Sequence, residues 1–577
     1  MSKIIYACFR DASQCNANVE RRIETIAKRV SPDNITPRPP KIYLEDNVIF
    51  GIINPSNSIQ VKDKSVLLGM AYGNDERWWK PGEAHLDGSF SLFRSDSDRS
   101  EIITDIVGSR SVWYYHDDKV FIASSSQRSI VMMLGSFQPD RAVIPWMLSA
   151  GSLGPFLSWD KRIKLLPPNS SVSLDHSSWQ ITVDSTPVCF NSVSAADKEH
   201  ETLLKSALTD TFKSLKIDFT KWVLPLSGGY DSRGMLSLFH LIGSNLKNLK
   251  AITWGLAKSI KEPGNDALIS KKLAEHYRIQ HTYYPTDLSE ETVESIFHRF
   301  LICGEGRIDH IGGYMDGFAI WKTLFDNQIE GIIRGDVPFS AKASDSVSDI
   351  RKVHGFPLCN DFANLNEDQG FEFARQTLPS SFEQLPNESL DVTRDRLYHQ
   401  FRLPIVLAAL NDLKLSYVEV INPLMSKPIV EESRRLPDHL RTDKELFKRI
   451  VRSISPPIGY ATSSALADST FLLKSKRVVD HIRSELNTES CRAILPKAFT
   501  SYLTDNLVVE NSSVNRKKAI KSFLKRYLPY SLIRQGTKLT ASKNVAVNTL
   551  AFRVYIISRM NRLLAEDAAV FEKSESF

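Results

Sequence analysis

The sequence predicts an α/β protein made of a β-rich amino-terminal domain, a parallel-sheet domain and a helical carboxyl-terminal part. Three observations predict this fold class. Short runs rich in β-branched and aromatic residues fill the chain to about residue 185, strand-like and helix-like runs alternate from about residue 200, and helical patterns dominate beyond about residue 345. The length of 577 residues exceeds what one hydrophobic core holds. We therefore expect domains at 1–190, 191–480 and 481–577.

Composition narrows the class of protein. The hydrophobic share of 42% and the charged share of 24% are typical of globular chains, and no apolar run is long enough to span a bilayer. The amino terminus lacks the apolar core of a secretory signal, so we expect a cytoplasmic protein without a membrane partner. Six scattered cysteines without zinc-binding spacing are expected to be reduced thiols.

The net charge of +6 is small for this length, and the densest basic run lies at 516–526. Its spacing fits one solvated face of a helix, whereas a phosphate-binding surface needs many more convergent cations. Nucleic acid is therefore not an expected partner.

The predicted strands of the first domain are short and separated by Asp, Asn, Gly and Ser. They are KIIYACF, NVIFGII, SVLLGMAYG, GSFSLF, EIITDIV, SVWYYH and KVFIASS. Pro167-Pro168-Asn169 and the polar stretch 191–200 mark the passage to the next domain.

The second domain is predicted from strands and helices in alternation, which is typical of βαβ units and of a parallel sheet covered on both faces. The predicted strands are WVLPL, LKAITWG, HTYYP and IEGIIRG, with helices before the first and after each of the first three.

One turn between a predicted strand and a predicted helix carries the strongest functional signal. Ser227-Gly228-Gly229 precedes Tyr230-Asp231-Ser232 at this turn. Ligands of parallel sheets bind outside the carboxyl ends of strands, where helix amino termini attract anions. The glycines allow close approach of a phosphate, the two serines add hydroxyl donors, and Asp231 suits a Mg²⁺ ion bound to phosphate. The alternative is a tight turn with a serine cap.

The string SGGYDS resembles the pyrophosphate loop of the PP-loop ATP pyrophosphatases, and its surroundings resemble the asparagine synthetase family. AITWG (251–255) is similar to the strand of that family that contacts adenine, which assigns Thr253, Trp254 and Gly255 to the nucleotide. IEGIIRGDVPFS (329–340) is similar to the strand and loop that hold magnesium and pyrophosphate, which assigns Gly335 and Asp336. The resemblance implies ATP and Mg²⁺ as cofactors, with Asp231 and Asp336 as catalytic and metal-binding residues.

Two departures and one further match concern the same region. The family loop usually carries Glu where this chain has Val337, and Gly where it has Ser340. INPLMSKPIVEESRRLP and RTDKELFKRIV resemble the closing helices of the family and its K-x-x-x-R pattern at Lys444. The lysine expected to assist amide formation is absent from PPIGYATSSALAD, which leaves Lys474 or Lys476 open as candidates.

The β-rich domain resembles the glutaminase (Ntn-like, αββα) domain of the same enzymes in LDGSFS (86–91), VGSRSVWYY (107–115) and IASSSQ (122–127). Working glutaminases attack glutamine with an amino-terminal cysteine whose α-amine serves as base. Here Lys3 falls at that position, and the glutamine-binding signature is absent. Ser2, exposed by removal of Met1, is the one alternative nucleophile. The domain is therefore expected to be degenerate.

The resemblance implies an AMP-forming ligase that adenylates a carboxylate and couples it to an amine or to ammonia. The substrate would be a small molecule or a peptide, and related β-lactam synthetases and lasso-peptide cyclases make intramolecular cyclisation an alternative. A PP-loop enzyme that modifies tRNA and a nucleotide-binding protein without catalysis also remain open, as do a homodimer and a partner from the same biosynthetic cluster. The segment 304–318 is expected to line the acceptor pocket with Arg307, Asp309, His310 and Tyr314, or to be a helix start with glycine hinges.

Overall fold

The computed structural model describes residues 2–73, 76–339, 342–366, 371, 373–466, 469–510 and 544–571. Within these ranges the strands form two antiparallel six-stranded sheets and one parallel five-stranded sheet. The fold is thus α/β with a β-rich first part, as predicted. The basic run 516–526 lies outside the described residues.

The first antiparallel sheet has the strand order β10-β8-β9-β1-β3-β2, and β1 pairs with β3 and β9. All seven residues of β1 are buried, because the sheet is covered on both faces. Its strands are β1 (Lys3–Phe9), β2 (Lys41–Glu45), β3 (Val48–Ile53), β8 (Trp113–His116), β9 (Val120–Ser124) and β10 (Lys164–Leu165).

The second antiparallel sheet has the order β12-β11-β7-β6-β5-β4 and packs face to face with the first. Side chains that alternate along the strands fill the space between the sheets, among them Tyr6, Phe50 and Phe93. Its strands are β4 (Gln60–Lys62), β5 (Ser65–Ala71), β6 (Gly88–Ser95), β7 (Arg99–Thr104), β11 (Ser170–Asp175) and β12 (Gln180–Ser185).

The parallel sheet has the order β15-β14-β13-β16-β17. From β13 the chain first adds strands on one side and then returns to the other side, so the strand order reverses between β13 and β16. A crevice outside the carboxyl ends of strands forms at such a point. The strands are β13 (Trp222–Pro225), β14 (Lys250–Gly255), β15 (Gln280–Pro285), β16 (Gly331–Ile333) and β17 (Glu419–Ile421).

The helices of the first part pack on the outer face of the first sheet, where α1 contacts β3 and α2 contacts β9. Helix α1 is amphipathic and begins at Asn16, whose side chain accepts a hydrogen bond from the Asn18 amide. The helices are α1 (Ala17–Val30), α2 (Gln127–Leu134) and α3 (Val143–Ala150).

The helices that accompany the parallel sheet follow the predicted alternation up to α7. Later in the chain, α10, a π-helical segment (Tyr398–Leu407) and α11 run without interruption. The helices are α4 (Asp197–Ser214), α5 (Asp231–Leu241), α6 (Asp266–Tyr277), α7 (Val293–Gly304), α8 (Ala319–Asp326), α9 (Val347–His354), α10 (Leu390–Leu397), α11 (Ala408–Leu415), α12 (Lys427–Arg435), α13 (Asp438–Arg441) and α14 (Glu445–Ile454).

The last helices pack back on the first part of the chain. Helix α19 contacts α2, α3 and α16, and its buried Asp567 pairs with Arg128. These helices are α15 (Ser469–Leu472), α16 (Lys476–Leu486), α17 (Glu489–Ile494), α18 (Lys497–Asn506) and α19 (Val547–Ala568). In the part of the chain that is described, no helix has both the length and the apolar character needed to cross a bilayer.

The seven strands predicted for the first part and the four predicted for the parallel sheet are all present. The sequence did not predict β2, β4, β10, β11 and β12 of the first part, nor β17, which lies in a region expected to be mostly helical. Its three residues are too few to show a strand period, and pairing with β16 rather than local propensity makes them a strand.

Candidate functional site

A cavity of ≈ 240 Å³ opens at the carboxyl ends of β13, β14 and β16, where the strand order reverses. Seven of the residues predicted to bind nucleotide or metal line it. They are Ser227, Asp231, Ser232, Thr253, Trp254, Gly335 and Asp336. The cavity wall also includes Asp266, Arg334 and the segment Ser464, Ala465 and Leu466. Residues far apart in sequence therefore meet at the crevice that the topology creates.

The backbone amides of the turn between β13 and α5 donate hydrogen bonds to side chains of the protein. The Ser227 amide donates to Ser232 Oγ at 2.8 Å, the Gly228 amide donates to Asp266 Oδ1 at 3.1 Å, and the Gly229 amide donates to Ser227 Oγ at 3.3 Å. The sequence predicts that phosphate binds at this turn, with these donors available to it. Because the chain already supplies an acceptor to each, phosphate binding at this turn requires exchange of these hydrogen bonds.

The two glycines of the turn have different surroundings. A Cβ on Gly228 would lie 2.7 Å from the side chains of Ala461 and Ile269. A Cβ on Gly229 would meet only Ser227 Oγ, at 3.5 Å. Gly228 is thus required by packing, whereas Gly229 leaves open space beside the turn.

Asp231 begins α5, and its carboxylate pairs with Lys444, whose Nζ lies 2.7 Å from Oδ2. Burial raises the pKa of Asp231, and the negative charge of Asp336 adds to this effect, while Lys444 opposes it. The second oxygen, Oδ1, is buried and accepts no hydrogen bond from the described residues. Asp231 is therefore a carboxylate with one oxygen free for a further ligand.

Asp336 follows β16 and is held by two donors. The Arg334 guanidinium lies 2.9 Å from its Oδ1, and Asn422 Nδ2 donates to its Oδ2 at 3.1 Å. Burial by itself would raise the pKa of Asp336, but the charge and hydrogen bonds of Arg334, together with the charges of Lys414 and Lys444, outweigh burial and hold this pKa below its usual value. The two predicted metal carboxylates thus differ, because Asp336 is the more readily ionised of the pair.

Two of the three residues predicted at the end of β14, Thr253 and Gly255, are engaged in contacts within the protein. The Thr253 hydroxyl is buried and bonds to the Leu226 carbonyl at 2.6 Å and to His281 at 2.9 Å. Gly255 lies against the backbone of Ala465, and the following amide, that of Leu256, donates to the Ala465 carbonyl at 2.8 Å. Of these residues, Trp254 is the one whose ring is half-buried at the cavity wall.

A loop at 456–466 lies across the turn. The Ala461 amide donates to the Gly228 carbonyl at 3.0 Å, and Arg233 donates to the Gly459 carbonyl at 2.7 Å. The ring of Tyr230 stacks on that of Tyr460 at 4.0 Å. Tyr230, predicted to bind nucleotide, therefore packs against the loop and is not part of the cavity wall.

A second cavity of ≈ 340 Å³ adjoins the first and shares Trp254, Arg334 and Leu466 with it. Of the four residues predicted for an acceptor pocket, His310 and Tyr314 line this cavity. The other two have structural partners, because Arg307 pairs with buried Asp412 and Asp309 pairs with Arg553 at 2.7 Å.

The two residues considered for the nucleophile position of the first part, Ser2 and Lys3, are buried. Lys3 is buried in β1 and pairs with Glu305 at 3.4 Å, and Ser2 is fully buried. Ser2 Oγ donates to the Asn54 carbonyl at 3.2 Å and accepts from the Ser56 amide at 3.0 Å. Both hydroxyl functions of Ser2 are therefore used within the fold.

The two lysines left open for amide formation lie in surface ion pairs. Lys474 pairs with Glu510 at 2.6 Å and Lys476 with Asp480 at 2.9 Å. Lys444, which the K-x-x-x-R resemblance had already marked, reaches the site through its ion pair with Asp231. Asp266, Arg334 and Lys414 were missed, although Arg334 directly precedes Gly335-Asp336 and Asp266 opens a helix after a cavity strand.

The carboxylates of the first cavity could hold a Mg²⁺ ion together with ligands from a bound phosphate. Among the described residues, no group of three or more His, Cys, Asp or Glu side chains could hold a metal ion. Magnesium is typically bound by one or two carboxylates together with phosphate oxygens. Asp231, with its free buried oxygen, and Asp336 fit that donor set.

Comparison with known proteins gives distant structural similarity and no family. No protein-family model matches the chain. No curated protein sequence matches it either.

Three solved structures illustrate the structural similarity. The U34-tRNA thiolase NcsA from Methanococcus maripaludis, with its 4Fe-4S cluster, has a TM-score of 0.23 and 12% identity over 57% of this chain and 92% of that chain. Glutamine phosphoribosylpyrophosphate amidotransferase from B. subtilis has a TM-score of 0.19 and 7% identity over 49% and 65%. An allosteric regulatory enzyme of purine biosynthesis has a TM-score of 0.20 and 7% identity over 70% and 98%.

Proposed function

We propose that the protein is an ATP-dependent, AMP-forming ligase that activates a substrate carboxylate and joins it to an amine or to ammonia. One observation carries this proposal. Two carboxylates, each paired with a cation, follow the neighbouring strands β13 and β16 and line one cavity at the point where the strand order of a parallel sheet reverses. An acid–cation set in such a crevice suits a metal-bound polyphosphate.

Asp231 and Asp336 would hold Mg²⁺ on the phosphates of ATP, and the ion would neutralise phosphate charge. Two cationic side chains of the protein, Lys444 and Arg334, would add positive charge beside the phosphates. Lys444 and Arg334 lie at 2.7 and 2.9 Å from these carboxylates, where they would also face the oxygens of a phosphate bound beside the carboxylates. Fixed charges of this kind stabilise the charge that develops during transfer without reorganisation.

The protein supplies no nucleophile in this proposal. The carboxylate of the substrate attacks the α phosphorus, pyrophosphate leaves, and the amine then displaces AMP. Arg334 borders both cavities, so it lies where an acid from the second cavity would meet the nucleotide in the first. Rate enhancement would then come from positioning and electrostatics.

The test is substrate-dependent exchange of labelled pyrophosphate into ATP, measured with panels of amino acids, sugar acids, aromatic acids and peptides. The expected result is exchange with at least one panel, with AMP and pyrophosphate as products. Formation of ADP and phosphate would contradict the proposal. Asp326→Asn, in an exposed ion pair on α8, is the matched control for changes in Asp231 and Asp336.

A further inference from the structure

The second cavity combines aromatic walls with a buried lysine. Trp254, Tyr314 and Trp321 form much of its wall, and the rings of Trp254 and Trp321 meet edge to face at 5.5 Å. Leu410 and Leu466 add apolar surface, and Gly312 and Gly313 leave room beside them. A flat apolar body fits such walls, because aromatic rings bury large areas and favour stacked or edge contacts.

Lys414 lies in this cavity without a carboxylate partner. Its side chain is 2% exposed, and its Nζ donates to the Leu410 carbonyl of its own helix. The rings of Tyr314 and Trp321 lie 5.8 and 5.6 Å from Nζ. Within the described residues no Asp or Glu oxygen lies within ion-pair distance of this ammonium.

The nearest acids are engaged elsewhere. Asp412 pairs with Arg307, and Asp336 pairs with Arg334 and Asn422. Burial lowers the pKa of Lys414 well below its usual value, and the Arg334 charge lowers it further, while Asp336 and Asp412 oppose both. An unpaired buried ammonium is costly, and an anion that enters the cavity would remove that cost.

Resting on the proposed function, we propose that this cavity binds the acid to be activated, and that the acid is a small carboxylic acid with a flat, apolar body. Its carboxylate lies between Lys414 and Arg334, at the border with the nucleotide cavity, and its body lies against Trp254, Tyr314 and Trp321. Lys414 is thereby a specificity-determining residue. An amine substrate would be repelled by Arg334 and by the protonated form of Lys414.

Binding of the acid to this cavity should couple to protonation of Lys414 in the absence of ATP. A carboxylate beside Lys414 favours the protonated amine and so raises its lowered pKa, and binding takes up a proton at any pH where the free lysine is deprotonated. Affinity should therefore fall as pH rises, because the protonated lysine becomes harder to form. The other titratable groups that line this cavity are His310, Tyr314 and Arg334, and Lys414→Met separates the lysine from them.

The experiment is calorimetric titration of the full chain, without nucleotide, with benzoate and trans-cinnamate. Titration in two buffers that differ in ionisation enthalpy measures proton uptake. Benzamide keeps the flat body without the charge, hexanoate keeps the charge without the flat body, and phenethylamine replaces the acid by an amine. We expect benzoate or cinnamate to bind at least about tenfold more tightly than each of these three probes, with proton uptake.

Lys414→Met should weaken binding of the flat acids by at least about 30-fold, since a buried charge pair loses one partner, and should abolish proton uptake. Lys271→Met, an exposed lysine on α6, is the matched control and should change neither. If Lys414→Met fails to fold, Gly313→Leu serves instead. A Cβ at Gly313 has only Leu466 within reach, at 3.9 Å, so a larger side chain fills the cavity with little disturbance.

Equal binding of hexanoate, tighter binding of phenethylamine or unchanged affinity in both variants would overturn the assignment of the cavity. The outcome is separable from the ligase proposal. Flat acids that bind with proton uptake but give no pyrophosphate exchange would leave the cavity assigned and remove the ligase. Pyrophosphate exchange that occurs only with acids of another class would support the ligase and overturn the assignment of the cavity.

Discussion

Lys444 reaches Asp231 from a strained backbone. Its Nζ lies 2.7 Å from Asp231 Oδ2, and both Lys444 and Asp443 adopt left-handed conformations, with φ of 59° and 55°. Such conformations cost about 1–3 kcal/mol each for residues other than glycine and cluster at functional sites. The pairing thus places a costly local conformation at the mouth of the proposed nucleotide cavity.

We predict that Lys444→Met shifts the acidic limb of the pyrophosphate exchange rate to higher pH. Burial already raises the pKa of Asp231, and Lys444 counteracts part of that effect, so loss of the ammonium raises this pKa further. A carboxyl group with a raised pKa loses its negative charge, and with it metal binding, at higher pH as acid is added. Rate–pH profiles of the two proteins measure the shift, and coincident acidic limbs would refute it. Lys427→Met gives the control.

We predict that Asp231→Asn and Asp336→Asn each reduce exchange by at least about 100-fold, and that the double variant is scarcely worse than either. Residues that hold one metal ion act as a unit, so their losses do not add. Additive losses would indicate that the two carboxylates serve separate steps. Thermal melts control for folding, because Asp336→Asn leaves the Arg334 charge without its carboxylate.

Much of the fold follows from sequence pattern. All predicted strands of the antiparallel sheets form, because runs such as Lys3–Phe9 and Val48–Ile53 combine β-branched residues with polar punctuation. The alternation after α4 likewise predicted the parallel sheet. Strand β17 was not predicted because its three residues become a strand through pairing with β16, which is far away in sequence.

In the candidate site, too, some features could be predicted from the sequence and others depend on residues far apart in the chain. Ser227, Asp231 and Ser232 of SGGYDS line one cavity with Asp336, since the ends of parallel strands meet at one edge. The hydrogen bond from the Gly228 amide to Asp266 could not be predicted from the sequence, because Asp266 lies 38 residues beyond Gly228. The left-handed backbone at Lys444 was also hidden, since KELFKRIVRSI has good helical periodicity from its first residue.

We predict that Gly229→Ala folds normally but binds ATP at least about tenfold more weakly, whereas Gly228→Ala lowers thermal stability. A Cβ at Gly229 has space in the protein alone, so a loss of affinity would report a phosphate that approaches this backbone. A Cβ at Gly228 would clash with Ala461 and Ile269 at 2.7 Å. ATP titration and melting curves of both variants measure these effects. Unchanged ATP affinity in Gly229→Ala would place the phosphates elsewhere.

We predict that glutamine is not hydrolysed and that an amine or ammonia suffices for synthesis. A nucleophile must reach its substrate, and here Ser2 is fully buried with its hydroxyl bonded to Asn54 and Ser56, while Lys3 pairs with Glu305. Glutamate release measured in the presence of ATP and each candidate acid tests this. If glutamate appears at the rate of amide synthesis, Ser2→Ala becomes the decisive variant.

We predict that Arg110→Met destabilises the protein at pH 7 by about 3–5 kcal/mol, because it leaves Glu419 of β17 buried beside the first sheets without its guanidinium. Burial by itself would raise the pKa of Glu419, but the Arg110 charge, helped by other contacts that include the hydrogen bond from the Ser2 amide, holds it at about 2. A carboxyl with a lowered pKa stabilises the fold above its usual pKa, and this contribution is lost as pH falls toward about 2. In the variant Glu419 takes up its proton at higher pH, so the stability difference should shrink as pH falls through the usual glutamate range. Urea unfolding of both proteins at pH 7 and pH 4 measures this, with Glu419→Gln in the Arg110→Met background as control. A difference that is independent of pH would show that the Arg110 contribution is packing rather than charge.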